Sequence, residues 1–335
     1  MNKERRLQIK QTVLNALKHS QSQVLPVPIK KITKSYKNIR LIPYSKHMKV
    51  CNLTYEEMCS FAETMDACTD YIPRIGKYLI YYNDVDKIIL DSNRYRWNIA
   101  HELGHILLNH HKENDKTRIF RNQLSTKEYN QLEEEADYFA SLILVPYAPL
   151  TRFIVRDIQT MQSYFKISKA AAGRRLYDFN MWKRHLNPSD SYDNAIFNHY
   201  RSFIFKRKCL TCGAALIQSK GNYCPICGQK TLKWGDGNMI YKETIRLDLS
   251  GKAIRCPVCD NEQIISDGEY CHICGTYLIN KCDNRHRTYN QNFCGKILPP
   301  NARYCPYCGN KSTFFNDKVL KSWEEEEEYG HLPFD

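Results

Sequence analysis

No apolar run of the roughly 18 residues that a membrane-spanning helix needs occurs in this sequence. The polar start Met1-Asn2-Lys3-Glu4-Arg5-Arg6 does not lead into the apolar core of a secretion signal either. Both absences argue against a helical membrane anchor, and the expectation is a cytoplasmic chain with no membrane partner. Cysteine is sparse in the first half, at Cys51, Cys59 and Cys68 only, while the other 12 of the 15 lie between Cys209 and Cys308. Close pairs of cysteines without a secretion signal point to metal thiolates in a reducing compartment and away from a disulfide framework.

The 335 residues have room for about two domains, and 42% hydrophobic residues is enough for at least one ordinary core. The net charge of +13 favours acidic partners, nucleic acid included, which is a statement about association and not about fold.

The stretch richest in chemistry is Trp97-Asn98-Ile99-Ala100-His101-Glu102-Leu103-Gly104-His105-Ile106-Leu107-Leu108. On a helix, two histidines four residues apart fall on one face about a turn from each other, so both imidazoles can reach one metal ion. Ile99, Leu103, Ile106 and Leu107 suit a core face, and Glu102 would stand beside the metal as the general base for a water. This is the outline of a zinc hydrolase. A second helix is expected from Lys127 to about Val145, with Leu132, Tyr138, Phe139 and Leu142 inward. On it, Glu133 and Asp137 share a face, which suits one carboxylate binding metal while the next accepts a hydrogen bond from a ligand imidazole.

Around these two helices the periodicity predicts a helix over 7–17 with Leu7, Val13, Leu14 and Leu17 in register, a short helix at 29–34 and a strand at 39–44. A helix over 53–65 would carry Met58, Phe61 and Met65 inward. Strands at 78–82 and 87–90 are expected as a hairpin joined by Asn83-Asp84-Val85-Asp86, running into the metal helix with Asp91 or Ser92 as its N-cap. Residues 110–126 read as a loop, and 150–165 and 168–179 as two further helices, the latter capped by Ser168. Helices around a small sheet make an α+β domain.

His101-Glu102-Leu103-Gly104-His105, then Glu133-x-x-Ala136-Asp137-x-Phe139-Ala140, Leu144-Val145-Pro146 and Phe165-Lys166-Ile167-Ser168-Lys169-x-Ala171 ahead of Arg175-Leu176 together resemble the ImmA/IrrE metallopeptidases. The resemblance covers about residues 1–185. It implies a helical, zincin-like domain whose third zinc ligand is the glutamate thirteen residues before Pro146, which is Glu133, with Glu134 and Glu135 as fallbacks and Asp137 in the supporting position. It further implies a cytosolic endopeptidase acting on a protein substrate, typically a DNA-binding repressor. Two histidines and a carboxylate leave a fourth coordination place on Zn²⁺ for water, whose pKa falls towards ~7 there. An oxyanion donor is also required, and Tyr81, Tyr82, Tyr138 and His110 are its candidates.

In the cysteine-rich half, Cys209, Cys212, Cys224 and Cys227 form a first quartet, and Cys256, Cys259, Cys271 and Cys274 repeat it at the same internal spacing. Cys282, Cys294, Cys305 and Cys308 form an irregular third, in which the first Cys-x-x-Cys is either stretched or replaced by another ligand such as His286. Four thiolates close a coordination sphere, so up to three structural zinc ions are expected, standing in for the core that small ribbons cannot build. The expected domains are a metallopeptidase domain at 1–185, a linker at 186–205, zinc ribbons at 206–235, 236–279 and 280–315, and an acidic tail at 316–335. The expected function is a zinc endopeptidase whose ribbons recruit substrate or regulate. The rival is a nucleic-acid- or protein-binding regulator with a vestigial peptidase domain, drawing on Lys206, Arg207, Lys208, Arg255, Arg285 and Arg287.

Overall fold

The computed structural model describes residues 1–113, 117–119, 125–153, 156–184, 190–283 and 294–325. The chain divides into two compact units, Met1–Ile204 and Phe205–Asp335. Among the described residues no helix is long and apolar enough to cross a membrane. The architecture is α+β: a mainly helical first unit with a small mixed sheet, and a second unit of short strands gathered around cysteine tetrads.

The first unit opens with α1 (Lys3–Ser20), started by the Asn2 side chain accepting a hydrogen bond from the Arg5 amide. It buries Ile9, Val13, Leu14 and Leu17, whereas Leu7 is half exposed. Then follow α2 (Ile29–Ser35), β1 (Ile39–Pro43), α3 (Tyr44–Cys51), α4 (Tyr55–Ala62), β2 (Ala67–Ile72) and β3 (Lys77–Tyr82). The sheet order is β1-β3-β2: β3 runs parallel to β1, with Ile39 opposite Tyr78, and antiparallel to β2, with Thr69 opposite Ile80.

The expected hairpin does not form. Residues 87–90 belong to a short helix, α5 (Lys87–Asp91), because the Asp86 carboxylate caps it by accepting from the Ile88 and Ile89 amides. Ile88 is 79% exposed, so this apolar run had no sheet face to enter. The missing antiparallel partner of β3 is β2, whose modest Ala-Cys-Thr-Asp-Tyr-Ile sequence reads weakly as a strand. Two other expectations shift. Helix α4 ends at Ala62, leaving Phe61 and Met65 exposed and only Met58 buried. The metal helix starts at Arg94 from Asn93 in a left-handed conformation, not from Asp91 or Ser92.

The two long helices that pack most extensively are α6 (Arg94–Leu107) and α8 (Thr126–Leu144), with α7 (His110–Glu113) between them. A capping box fixes the start of α8, where Ser125 Oγ accepts from the Glu128 amide and the Glu128 carboxylate accepts from the Ser125 amide. The helices approach closely at Gly104: a Cβ there would sit 3.1 Å from Phe139 Cδ1 and 3.3 Å from the Ala136 backbone. Glycine in one helix and alanine in the other thus set the separation of the helices that carry the candidate ligands.

Beyond Pro146 lie α9 (Tyr147–Leu150), α10 (Ile158–Phe165), α11 (Lys169–Arg184), α12 (Ser191–His199) and α13 (Arg201–Ile204). Of the helix read over 150–165 only Ile158–Phe165 is one helix, capped by Asp157, while α9 ends at Leu150. Ser168 accepts from the Ala171 amide at the start of α11. The stretch read as a linker contains α12 and α13, and these belong to the first unit: Trp182 donates to Asp193, and His199 Nε2 meets the Ser22 carbonyl at 2.7 Å. Packing of Ile196, Tyr200, Phe203 and Ile204 explains why a segment without a motif folds back.

In the second unit β4 (Lys206–Cys209) lies between β5 (Ala215–Ile217) and β6 (Leu232–Trp234), and one short helix, α14 (Thr313–Asn316), follows the last tetrad. The buried cluster of the first tetrad contains more cysteine than aliphatic side chains, Cys209, Cys212, Cys224 and Cys227 with Ala214, Ile226 and Tyr241, and that of the third contains as many, Cys282 and Cys305 with Leu298 and Ala302. Arg285, His286, Arg287 and residues 326–335 of the acidic tail lie outside the described residues.

Candidate metal centre and cleft

Helical geometry puts His101 and His105 on one face of α6, and the close approach at Gly104 brings Glu133 of α8 opposite them. One ligand atom from each of the three lies within 4.8 Å of the others. His101 Nε2 and His105 Nε2 are 3.0 Å apart, and the Glu133 carboxylate oxygens stand 3.3 Å from the first and 3.5 Å from the second. Glu134 instead reaches the N-terminal amine at 3.3 Å, and Glu135 turns to the other side of the helix.

The far nitrogen of each imidazole is held. His101 Nδ1 donates to Asp137 at 2.9 Å. His105 Nδ1 sits 2.9 Å from His110 Nδ1, and His110 Nε2 is 3.1 Å from Glu135. Glu135 is itself paired with Arg5 at 2.7 Å and accepts from Gln131. Burial raises the Glu135 carboxyl, but hydrogen bonds from His110, Arg5 and Gln131 outweigh it and bring it down to about 2. An ionised Glu135 makes His110 Nε2 a donor. In the tautomer in which His110 accepts at Nδ1, His105 donates there and keeps a lone pair on Nε2.

Burial pushes the His105 imidazole down to about 3, which keeps it neutral. For His101 burial also opposes charge, yet Asp137 and Glu133 prevail and lift it to about 10. Glu133 is shifted well below the usual carboxylate range: burial opposes this, and the two imidazoles overcome it. Two inward-facing ring nitrogens and a carboxylate, with both outer nitrogens already engaged, are a donor set that asks for a cation.

Glu102 lies alongside. Burial pushes its carboxyl up to about 7, while His101 and the Thr69 hydroxyl pull the other way. That hydroxyl, on the edge strand β2, donates to Glu102 Oε2 at 2.6 Å. The group borders a cleft of about 610 Å³, lined also by Trp97, Asn98, Arg118, Tyr129 and His111. Arg118 forms a two-pronged contact with Asp70, at 2.8 Å for Nη2, and donates from Nη1 to the Phe61 carbonyl.

None of the four expected oxyanion donors lines the cleft. Tyr81 and Tyr82 are buried in or beside the sheet, Tyr138 lies elsewhere on α8, and His110 is fully buried behind His105. Residues 110–113 form a helix, so a stretch read as a loop holds two buried histidines. Sequence reading missed Thr69, Arg5 and the His110–Glu135 pair. Only His110 had a signal, a third histidine five residues beyond His105.

In the second unit the tetrads gather as spaced. Paired sulfurs are 3.5 and 3.7 Å apart in the first, 3.5 and 3.6 Å in the second, and 3.4 and 3.5 Å in the third. All are free cysteines, and the separations suit a tetrahedron with Zn–S of about 2.3 Å. Cys282 and Cys294 converge on Cys305 and Cys308 in spite of their long spacing. The three tetrads fit zinc ribbons.

No protein of curated function matches the chain. Residues 60–177, which run from the end of α4 through most of α11, match the family model Peptidase_M78, described as the IrrE N-terminal-like domain.

Proposed function

We propose that the first unit is a zinc-dependent endopeptidase with its centre at His101, His105 and Glu133 and with Glu102 as general base. The observation that carries the reading is the convergence of two Nε2 atoms and a carboxylate beside a second carboxylate, Glu102, in a cleft of about 610 Å³. A zinc ion held by this donor set supplies Lewis acidity and lowers the pKa of a water towards ~7.

The chain's own groups do the rest. Thr69 holds Oε2 of Glu102, leaving Oε1 to take the proton of the attacking water and then pass it to the leaving amine. Asp137 fixes the tautomer and tilt of His101, and His110 with Glu135 does so for His105. The three cysteine tetrads would hold structural zinc, giving four ions per chain. The substrate we favour is a DNA-binding repressor, with the ribbons recruiting it or regulating the cleft. This rests on the family resemblance.

Glu102→Gln is expected to keep four zinc ions and lose cleavage of a co-expressed repressor, read by metal analysis and immunoblot. His105→Ala should lower the count to three. Undiminished cleavage by Glu102→Gln overturns the general base. A zinc count indifferent to His105→Ala overturns the centre.

A further inference from the structure

The motif Tyr-Cys-x-x-Cys-Gly occurs three times, at 223–228, 270–275 and 304–309. The three copies share one backbone. In each the glycine amide bonds the first cysteine's carbonyl, at 2.9, 2.8 and 2.8 Å, and the glycine φ is +75°, +73° and +81°. Positive φ at that position is a glycine conformation.

Two of the copies are locked together reciprocally. The amides of Asn222 and Tyr223 both donate to the Pro306 carbonyl, at 2.9 and 3.1 Å, and those of Arg303 and Tyr304 both donate to the Pro225 carbonyl, at 2.8 and 2.9 Å. Each tyrosine ring covers the other copy's glycine. A Cβ on Gly228 would fall 2.7 Å from Tyr304, and one on Gly309 would fall 2.6 Å from Tyr223. This is a local two-fold contact, in which each side supplies the same donors, acceptor, ring and glycine.

The third copy has no such partner among the described residues. No atom lies within 4 Å of a Cβ built on Gly275. The Glu269 and Tyr270 amides find no acceptor there and the His272 carbonyl no donor, although the internal bonds of Cys271 to Thr276 and Leu278 to Glu269 are made. Tyr270 is 53% exposed and Ile273 66% exposed, and Cys274 is exposed where Cys227 is buried.

We propose that the Tyr270–Gly275 knuckle is a self-complementary docking surface that pairs with the same knuckle of a second copy of this chain. The occupant follows from the symmetry: the contact needs the same motif on both sides, and the chain's other two copies are already used on each other. Tyr270 of each chain then covers Gly275 of the other, and the amides at 269 and 270 donate to the His272 carbonyl across the two-fold. A surface this small makes a weak dimer, with a dissociation constant on the order of tens of micromolar.

Sedimentation of the zinc-loaded full chain from about 1 to about 300 µM, with amide hydrogen exchange at both ends of that range, tests it. The expected result is a monomer–dimer equilibrium, with amides 269–275 protected only at the high end. Tyr270→Lys with Ile273→Asp, both at exposed positions, should weaken dimerisation at least tenfold at an unchanged zinc count. A monomer at every concentration overturns the proposal, as does a dimer that survives both substitutions with the zinc count intact. Protection of 269–275 that is independent of concentration also overturns it, because the occupant is then another segment of the same chain.

Discussion

The two kinds of ligand cluster in this chain differ in number, chemistry and surroundings. His101, His105 and Glu133 offer three donors at the edge of a cleft, drawn from two helices whose apolar faces would pack without any ion. Each tetrad offers four sulfurs, and in the first these make up much of the local core. Three donors leave a coordination place for chemistry and four close it. The helices of the first unit hold their donors in place, whereas a ribbon depends on its metal to fold.

Breaking a tetrad should therefore do the most damage, and only locally. Cys224→Ser is expected to cost one zinc and the folding energy that goes with it, on the order of 10 kcal/mol. Because its knuckle interlocks with the one at Cys305, the third ribbon should loosen as well, read by amide exchange at 303–309. The centre at His101 should keep its ion. A third ribbon unaffected by Cys224→Ser would show that the knuckle contact contributes little.

Glu102→Gln sharpens the other side of the contrast: metal content and melting temperature stay, and kcat falls by about 10²–10⁴. His110→Gln and Glu135→Gln act between the two extremes. Each should weaken zinc at the centre by about 10- to 100-fold in chelator competition and leave the ribbon ions untouched. Thr69→Val should lower kcat about tenfold with KM little changed, and Thr69→Ser should restore it.

The effect of pH is of the same size per unit. Glu102 serves as a base only when ionised, and burial raises it to about 7. Cleavage should fall about tenfold for each pH unit below 7 and level off above it. Ribbon zinc content should not change across pH 6–8.

What could be read in the sequence follows a physical divide. The shared face of His101 and His105 and the close Cys-x-x-Cys pairs are set by residues a few positions apart. The run Lys87-Ile88-Ile89-Leu90 misled because a four-residue apolar run suits strand or helix equally, and the Asp86 cap decided for helix. The helical stretch 191–204 carried no motif, and only its contacts with α1 and its neighbours show that it belongs to the first unit.

The sequence alone determined the pattern of donors: two histidines a turn apart, acidic residues on a later helix, and cysteine pairs spaced for thiolate binding. Tertiary structure decided which of three consecutive carboxylates faces the imidazoles. Successive residues of a helix point about 100° apart, so Glu133, Glu134 and Glu135 differ only in what surrounds them. The Gly104 contact turns Glu133 to the histidines, and Arg5, from the other end of the unit's sequence, takes Glu135. Tertiary structure also shows which two of the three Tyr-Cys-x-x-Cys-Gly knuckles are joined, those at 223–228 and 304–309.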